Sequence, residues 1–401
     1  MPANVSSDYI YLDYAATAPL CEEAARAMAP YQVPGRVNLA VGGNANSLHS
    51  PGRAAFEAME AARKTVARCL GARRPDEVVF TSGATEADDA VLFGVAKAER
   101  DRRRRAGAGD FTPHVVVSAI EHDAVLHPAK RLERQGFRVS YLAPDARGFV
   151  SPAALERVID EDTVLVSVQM ANSEVGSIQP VAELARVAHD AGSLFHTDAV
   201  QALGKTPVDV SALDVDAASF SAHKIGGPKG VGALYLRTRT PFDAFMLGGG
   251  QESGRRSGTQ NVAGIAGFAA ACEAAVANLE EESARLRLLR DRLYAGLAAF
   301  GPVSPTVSVE GGSADFLPNI VHVLVDGLES ETMILRLDMA GIGVSGGSAC
   351  SSHSLEPSHV LKAMGVSGDR AHGALRISMG RYTVDSDVEA LLSAMQGVLD
   401  W

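Results

Sequence analysis

Short apolar runs alternate with longer amphipathic stretches through the first two thirds of the chain. The runs are rich in β-branched residues and predict strands at 78–80, 115–117, 164–168, 193–195, 218–220 and 232–236. Helical patterns fill most of the intervals, at 54–70, 84–104, 124–134, 153–159 and 181–191. Strands that alternate with helices predict a mainly parallel sheet covered on both faces. Such a sheet binds ligands at the carboxyl ends of its strands.

The pattern changes after Gly264. The expected elements there are a long helix ending near 300, strands at 319–325 and 375–378, and a last helix after 383. This order predicts a smaller α+β domain. Because no long Pro-, Ser- or Gly-rich linker cuts the chain, the two domains should share an interface. We expect a large domain of residues 15–262 and a small domain of residues 1–14 and 263–401.

The composition and charge of the chain limit the classes of protein to which it can belong. The 401 residues are 46% apolar and 21% charged, which is typical of a globular protein. A net charge of -11 disfavours a general nucleic-acid surface. The basic run of Arg100 and residues 102–105 predicts a solvated helix end, with a docking patch for an acidic partner as the alternative. No window is apolar enough for a membrane span and no leader pattern opens the chain, so we expect a cytoplasmic protein.

The four cysteines lack Cys-x-x-Cys spacing, which disfavours both a zinc site and a disulfide framework. Cys21, Cys69 and Cys272 lie in Ala- and Leu-rich helical stretches and are expected to be buried thiols. Cys350 differs because Gly and Ser surround it from 345 to 352. That composition predicts an exposed loop in which a thiol is available for reaction. An inert surface thiol is the alternative.

Two charged residues follow neighbouring predicted strands. Lys224 stands in a Ser-Ala-His-Lys segment that ends in a glycine-rich turn, where a lysine amine can form a Schiff base with a carbonyl cofactor. Asp198 closes the segment His-Thr-Asp. Pyridoxal phosphate needs a carboxylate on its ring nitrogen, and Asp198 would supply it. The alternative for Asp198 is a helix cap.

Three further segments complete a candidate site. The Thr-Ser-Gly-Ala-Thr-Glu run at 81–86 passes from a strand into a helix, and its amides with the Thr85 hydroxyl suit a phosphate monoester. His122 follows another strand and could stack on a flat ring and exchange protons. Arg376 lies on a predicted strand and could bind a substrate carboxylate with its guanidinium fork. A structural histidine and an ordinary ion pair are the respective alternatives.

These motifs, in this order, resemble the cysteine desulfurases of group I. The similarity also covers Tyr-Leu-Asp-Tyr-Ala-Ala-Thr at 11–17, Gly-Gly-Gly-Gln-Glu at 248–252, Arg-Ser-Gly-Thr at 256–259 and Gly-Ser-Ala-Cys at 347–350. It therefore extends over nearly the whole chain. The resemblance implies a fold-type I, class V aminotransferase-like enzyme that depends on pyridoxal 5'-phosphate, with a seven-stranded sheet and active sites at the interface of a homodimer.

The resemblance also implies individual roles. Lys224 would bind the cofactor covalently, Asp198 would pair with the ring nitrogen, Gln201 would approach the ring hydroxyl and His122 would stack on the ring. The phosphate would be held by Ala84, Thr85, Ser221 and His223, and by Thr259 of the partner. Cys350 would accept sulfur from L-cysteine as a persulfide, leaving alanine, and pass it to an iron–sulfur scaffold or thiolation protein. No metal is expected.

Two segments depart from the family pattern. The family has Asn-Asn-Glu where this chain has Asn172-Ser173-Glu174, so Ser173 occupies the place of an Asn that contacts cofactor and substrate. The segment 43–49 also lacks the usual Pro-Ser-Ser. Two other functions share much of the sequence pattern. One is another fold-type I enzyme, such as a selenocysteine lyase or an aminotransferase, and the other is a sulfur-relay scaffold that has lost catalysis.

Overall fold

The computed structural model describes residues 8–35, 38, 41–107, 109, 111–347 and 357–400. In these ranges the strands, in chain order, are β1 (Ile10–Tyr11), β2 (Val78–Thr81), β3 (His114–Ser118), β4 (Arg138–Leu142), β5 (Thr163–Ser167), β6 (Leu194–Asp198), β7 (Ala217–Ser221), β8 (Gly232–Leu236), β9 (Val303–Pro305), β10 (Ile320–Val325), β11 (Ile342–Gly343) and β12 (Ala374–Ser378). The α-helices are α1 (Glu22–Met28), α2 (Ser50–Cys69), α3 (Ala84–Ala90), α4 (Ala96–Arg105), α5 (Asp123–Glu133), α6 (Pro152–Glu156), α7 (Val181–Asp190), α8 (Val262–Ala277), α9 (Leu279–Leu297), α10 (Ser330–Met339), α11 (His359–Ala363), α12 (Gly368–Ala371) and α13 (Asp385–Leu399).

Seven strands form the main sheet, in the order β2-β8-β7-β6-β5-β3-β4. Strand β8 is antiparallel to both of its neighbours, whereas β7, β6, β5, β3 and β4 pair in parallel. Apolar side chains pack on both faces of this sheet, with Phe195 and Phe220 in one layer and Val115 and Val117 in the other. The predicted α/β fold with a mainly parallel seven-stranded sheet is confirmed.

A second core surrounds a smaller sheet. Strands β12, β10 and β9 form an antiparallel sheet, and β1 pairs in parallel with β11. Helices α9, α10 and α13 pack their apolar faces into the same cluster, where Leu293, Met333 and Leu391 are fully buried. This cluster is built from the amino-terminal strand and the last third of the chain. The domain limits at residues 15 and 262 stay predictions.

Two predicted helices are interrupted. The helix expected at 84–104 contains a π-helical turn, Val91–Val95, between α3 and α4. Gly94 lies there against residues 242–243, where an added Cβ would come within 2.6 Å of Asp243 O. The long helix expected after 264 is divided by a bend of 71° at Asn278, where the Asn278 side chain donates a hydrogen bond of 2.8 Å to Ala274 O. Strand β4 is absent from the prediction because it is a half-exposed edge strand.

Three other sequence features have clear positions. Cys21, Cys69 and Cys272 are buried, as expected. In the basic run, Arg102 and Arg103 bind Glu99, and Arg103 also donates to three backbone carbonyls. Within the described ranges no single helix has the length and hydropathy to cross a membrane. Helices α8 and α9 reach that threshold only as a bent pair.

Candidate active site

A cavity of about 460 Å³ opens at the carboxyl edge of the main sheet. Strands β2, β3, β6 and β7 all end at its wall, so the residues that follow them meet there, as expected for a parallel sheet. The predicted site residues that line it are Ala84, Thr85, His122, Ser173, Asp198, Gln201, Ser221, His223, Lys224 and Arg376. Segments from 84 to 376 of the sequence therefore converge on one cavity.

Lys224 lies in a short 3₁₀ turn, Ala222–Ile225, directly after β7. The turn closes on Gly226, whose φ of 80° is left-handed and favours glycine. The amine donates hydrogen bonds to Ala15 O at 2.6 Å and Ala16 O at 2.9 Å. These carbonyls belong to the amino-terminal segment, so the approach of that segment fixes the position of the amine at the cavity wall.

Asp198 ends β6 and is buried. Its Oδ1 accepts a hydrogen bond of 2.9 Å from Val200 N, as in a helix cap, while the residue lines the cavity. Burial raises the pKa of this carboxyl, and the charges of His122 and Lys224 lower it. A positive group placed in the cavity would favour the ionised form further, because opposite charge stabilises a buried carboxylate.

The phosphate end of the predicted site is formed by the loop between β2 and α3. Gly83 precedes Ala84 and Thr85 at the start of the helix. Gly232 of the neighbouring strand permits this arrangement, because an added Cβ on it would come within 2.7 Å of the Gly83 carbonyl carbon. Exposed backbone N–H groups at such a helix start favour an anion.

Ser221 and His223 also line the cavity. His223 Nδ1 is 3.1 Å from Thr17 Oγ1. Burial, together with the charges of Lys224, Lys229 and Lys205, lowers the pKa of His223 to about 4. At neutral pH the ring is therefore uncharged and can act as a neutral hydrogen-bond donor.

His122 is the N-cap residue of α5. Its Nδ1 accepts a hydrogen bond of 3.1 Å from Ala124 N, so Nε2 is the ring nitrogen that the cap does not use. The preceding residue, Glu121, is fully buried and accepts from Gln169 N at 2.7 Å. Burial raises the pKa of Glu121 to about 8. The cap and the buried Glu121 together fix the ring at the cavity wall.

Arg376 lies on β12 and reaches across to the main sheet. Its Nη1 donates to Ser173 O at 3.0 Å and its Nη2 to Asp13 Oδ1 at 2.9 Å. Asn172 does not line the cavity, since its Oδ1 accepts from Glu174 N and Val175 N and so shapes the turn. Ser173 does line it, while its backbone carbonyl holds Arg376.

Thr259, like Asn172, does not line the cavity, and its side chain is exposed. Its segment is held at Glu252, whose carboxylate binds Arg63 at 2.6 and 2.9 Å and accepts from Phe80 N at 3.0 Å. Cys350 lies outside the described residues. The roles of both in catalysis stay predictions.

The described residues fit pyridoxal phosphate. Gln201 Oε1 and Arg376 Nε are buried polar atoms to which the described part of the chain offers no hydrogen-bond partner, and both side chains line the cavity. A ring hydroxyl can donate to the first, and a substrate carboxylate can accept from the second. A carboxylate, an amine and an anion-binding helix start lie around the same space.

Sequence reasoning missed three residues that line the cavity, Asp88, Gln169 and Ala171. Gln169 follows the predicted strand at 164–168 directly, so its place at the carboxyl edge was available from the pattern. Asp88 lies on α3 beside Glu86 and Asp89, so nothing in the sequence indicates that this carboxyl is the buried one. No group of three or more metal-binding side chains occurs in the part of the chain that the structure describes.

Comparison with known proteins agrees with this geometry. The model of the class-V aminotransferases matches residues 10–391. The chain is 42% identical to the cysteine desulfurase IscS of Methanosarcina thermophila, over 99% of this chain and 94% of the relative. Among solved structures, a NifS-like protein superposes with a TM-score of 0.87 at 38% identity, covering 98% of this chain and 99% of the other.

A solved structure of SspA in complex with cysteine superposes with a TM-score of 0.77 at 32% identity, covering 94% of this chain and all of the other. The predicted cofactor is confirmed: the class-V family and its desulfurases depend on pyridoxal phosphate, and so does this enzyme. The chain belongs to the cysteine desulfurases of the class-V aminotransferase family.

Proposed function

We propose that this enzyme takes sulfur from L-cysteine, releases L-alanine and passes the sulfur through a persulfide on Cys350 to an acceptor protein. The observation that carries the proposal is the convergence of Lys224, Asp198 and Arg376 on one cavity. Together these residues offer an amine, a carboxylate and a guanidinium, the groups needed to bind the cofactor and the carboxylate of an amino acid.

Substrate binding is assigned to Arg376 and Ser173. The Arg376 guanidinium is buried and is held by Asp13 and by the Ser173 carbonyl, so its remaining N–H donors, among them that of Nε, are fixed in direction. A preorganised donor loses little entropy when a carboxylate binds. Ser173 offers a shorter side chain than the Asn of the family, which leaves more room beside the substrate.

When bound, pyridoxal phosphate acts as an electron sink that weakens the Cα–H bond of the amino acid. In the proposed reaction the Lys224 amine removes the Cα proton, and the His122 ring exchanges protons with the substrate. The Cys350 thiolate attacks the substrate sulfur, forming an S–S bond as the Cβ–S bond breaks. The electron pair of that bond stays on Cβ, which takes up a proton, and alanine leaves.

The wider setting belongs to the same proposal. We place the enzyme in the cytoplasm as a homodimer, in which Thr259 reaches the phosphate of the partner subunit. Support comes from the exposed position of Thr259 and from the buried Arg63–Glu252 pair that fixes its segment. The acceptor would be an iron–sulfur scaffold or a thiolation protein. We expect no direct binding of nucleic acid by this chain.

The test is the incubation of purified holoenzyme with L-cysteine and a thiol reductant, with alanine and sulfide measured together. The proposal expects one sulfide for each alanine, and no product from Lys224→Ala. Selenocysteine in a parallel reaction tests the alternative: a selenocysteine lyase would release alanine from selenocysteine alone. Alanine without sulfide, or no alanine from wild type, would contradict the proposal.

A further inference from the structure

Asp88 is a buried carboxyl group in the wall of the cavity, and the proposed mechanism does not use it. It lies on α3, only 1% of the residue is exposed, and it lines the same space as Asp198. Neither of its carboxylate oxygens finds a hydrogen-bond partner of acceptable geometry in the described ranges. An ionised carboxylate in that condition is very costly, whereas a protonated one is tolerated.

The groups around Asp88 oppose its ionisation. Asp198 of β6 and Glu121, ahead of α5, act on it as like charges, and so does Asp89 on its own helix. The nearest base is His196 of β6, whose Nε2 lies 3.7 Å from Asp88 Oδ1. Burial lowers the pKa of His196 to about 3, so that ring is uncharged at neutral pH. Burial also raises the pKa of Asp88 well above its ordinary range.

Two serines hold the neutral His196 ring beside Asp88. Its Nδ1 is 2.8 Å from Ser167 Oγ and its Nε2 is 3.0 Å from Ser219 Oγ. A neutral imidazole donates through one nitrogen and accepts through the other. Ser219 also lies beside Asp88, and its hydrogen bond lowers the pKa of Asp88, but by less than burial and the charge of Asp198 raise it.

We propose that Asp88 is a positioning residue that holds a proton beneath the cavity, so that the single negative charge of the Asp88–Asp198 pair stays on Asp198, where the cofactor ring nitrogen binds. The inference rests on the proposed role of Asp198. Asp198 acts on Asp88 as a like charge in a buried site, which disfavours the ionisation of both, and the asymmetry of their surroundings decides which one ionises. Asp198 accepts a backbone N–H and faces His122 and Lys224, while Asp88 faces carboxyl groups and a neutral ring.

Isotope-edited infrared spectroscopy tests the inference without any turnover of cysteine. Holoenzyme labelled with ¹³C in its aspartate carboxyls should show, at pH 7.5, the carbonyl band of a protonated carboxylic acid. Because only aspartate carries the label, protonated Glu121 does not contribute. The band should disappear in Asp88→Asn and persist in Asp190→Asn, which replaces an exposed aspartate at the end of α7. A wild-type enzyme without the band, or an Asp88→Asn enzyme that keeps it, would overturn the inference.

The pH dependence of stability gives a second readout. A carboxyl whose pKa is raised in the folded state destabilises that state progressively as the pH rises above its unfolded pKa of about 4. Asn mimics the protonated acid and removes this effect. The melting temperature of Asp88→Asn should therefore exceed that of wild type at pH 7.5, and the gain should shrink towards pH 5. A melting temperature that falls equally at both pH values would show that Asp88 is an ionised structural group.

Discussion

Arg376 Nη2 donates a hydrogen bond of 2.9 Å to Asp13 Oδ1, which joins strand β12 to the amino-terminal segment. The guanidinium is buried and also binds the Ser173 carbonyl, so it connects three separate parts of the chain at the cavity. The same amino-terminal segment supplies the two carbonyls that hold Lys224. The same segment therefore positions both the Lys224 amine and the Arg376 guanidinium.

Replacing Arg376 by Lys should reduce kcat/KM for cysteine by about 10- to 150-fold. The ammonium keeps the charge but loses the fork, and a hydrogen bond to a charged group is worth about 1.5–3 kcal/mol. Steady-state kinetics with cysteine measures the loss, and the bound-cofactor absorbance checks that the site is intact. A variant with unchanged kcat/KM would contradict the assignment of Arg376 to the substrate carboxylate.

His122 has two separable functions, as the cap of α5 and as a ring at the cavity. His122→Ala should lose both, with about 1 kcal/mol of stability lost with the cap and about 10²- to 10⁴-fold in kcat lost with the proton exchange. His122→Asn should lose only the activity, because Asn is a good N-cap residue. Denaturant unfolding and steady-state turnover separate the two effects. An Asn variant with wild-type kcat would remove His122 from the mechanism.

The Arg63–Glu252 pair is expected to stabilise the segment that carries Thr259. Both side chains are buried, at 8% and 1% exposure, so Glu252→Gln leaves Arg63 with only the partly exposed Glu60 as an ion-pair partner and should cost about 1.5–3 kcal/mol of unfolding free energy. Glu273→Gln breaks the exposed pair with Arg68 and should cost about 1 kcal/mol or less. Equal losses in the two variants, measured by denaturant unfolding, would contradict the account.

Lys205 makes the stability of the fold depend on pH on the alkaline side. Burial lowers the pKa of its amine to about 7, whereas the unfolded chain keeps an ordinary pKa of about 10.4. Between these values the unfolded state binds more protons, so the contribution of this group makes stability rise with pH. Lys205→Met should therefore be more stable than wild type at pH 7, with the difference vanishing above about pH 10.4.

Thermal unfolding at pH 7.5 and pH 10 checks this expectation. Lys64→Met, on the exposed face of α2, is the matched control and should change the melting temperature little at either pH. If Lys205→Met lowered the melting temperature at pH 7.5, the amine would have to be a stabilising charge with a partner beyond the Lys224 carbonyl, 3.5 Å away.

Much of the fold was available from the sequence because buried parallel strands give continuous apolar runs. Residues 115–117 and 164–168 were found in this way. Strand β4 was not, because one face of an edge strand is solvated and its pattern is weak. The break at Asn278 coincides with a side-chain hydrogen bond to Ala274 O, and the π-helical turn at 91–95 lies against residues 242–243. Such tertiary contacts leave no period in the sequence.

The candidate site likewise contains features that the sequence predicts and contacts that it does not. Residues that follow strands, such as Asp198 and Lys224, could be predicted to meet, because the topology brings strand ends to one edge. The hydrogen bonds from Lys224 to Ala15 O and Ala16 O could not be predicted, nor could the bond from Arg376 to Asp13. These contacts join segments more than 200 residues apart. The partnerless carboxyl of Asp88 is visible only once its surroundings are known.

The most direct test of the central claim is the mass of the peptide that contains Cys350, taken after holoenzyme has reacted with a limiting amount of L-cysteine without reductant. The account predicts that this peptide gains one sulfur atom per alanine released. It also predicts that Cys350→Ser shows no added sulfur and forms almost no alanine. Alanine release at the wild-type rate from Cys350→Ser, or alanine without added sulfur on wild-type Cys350, would contradict it.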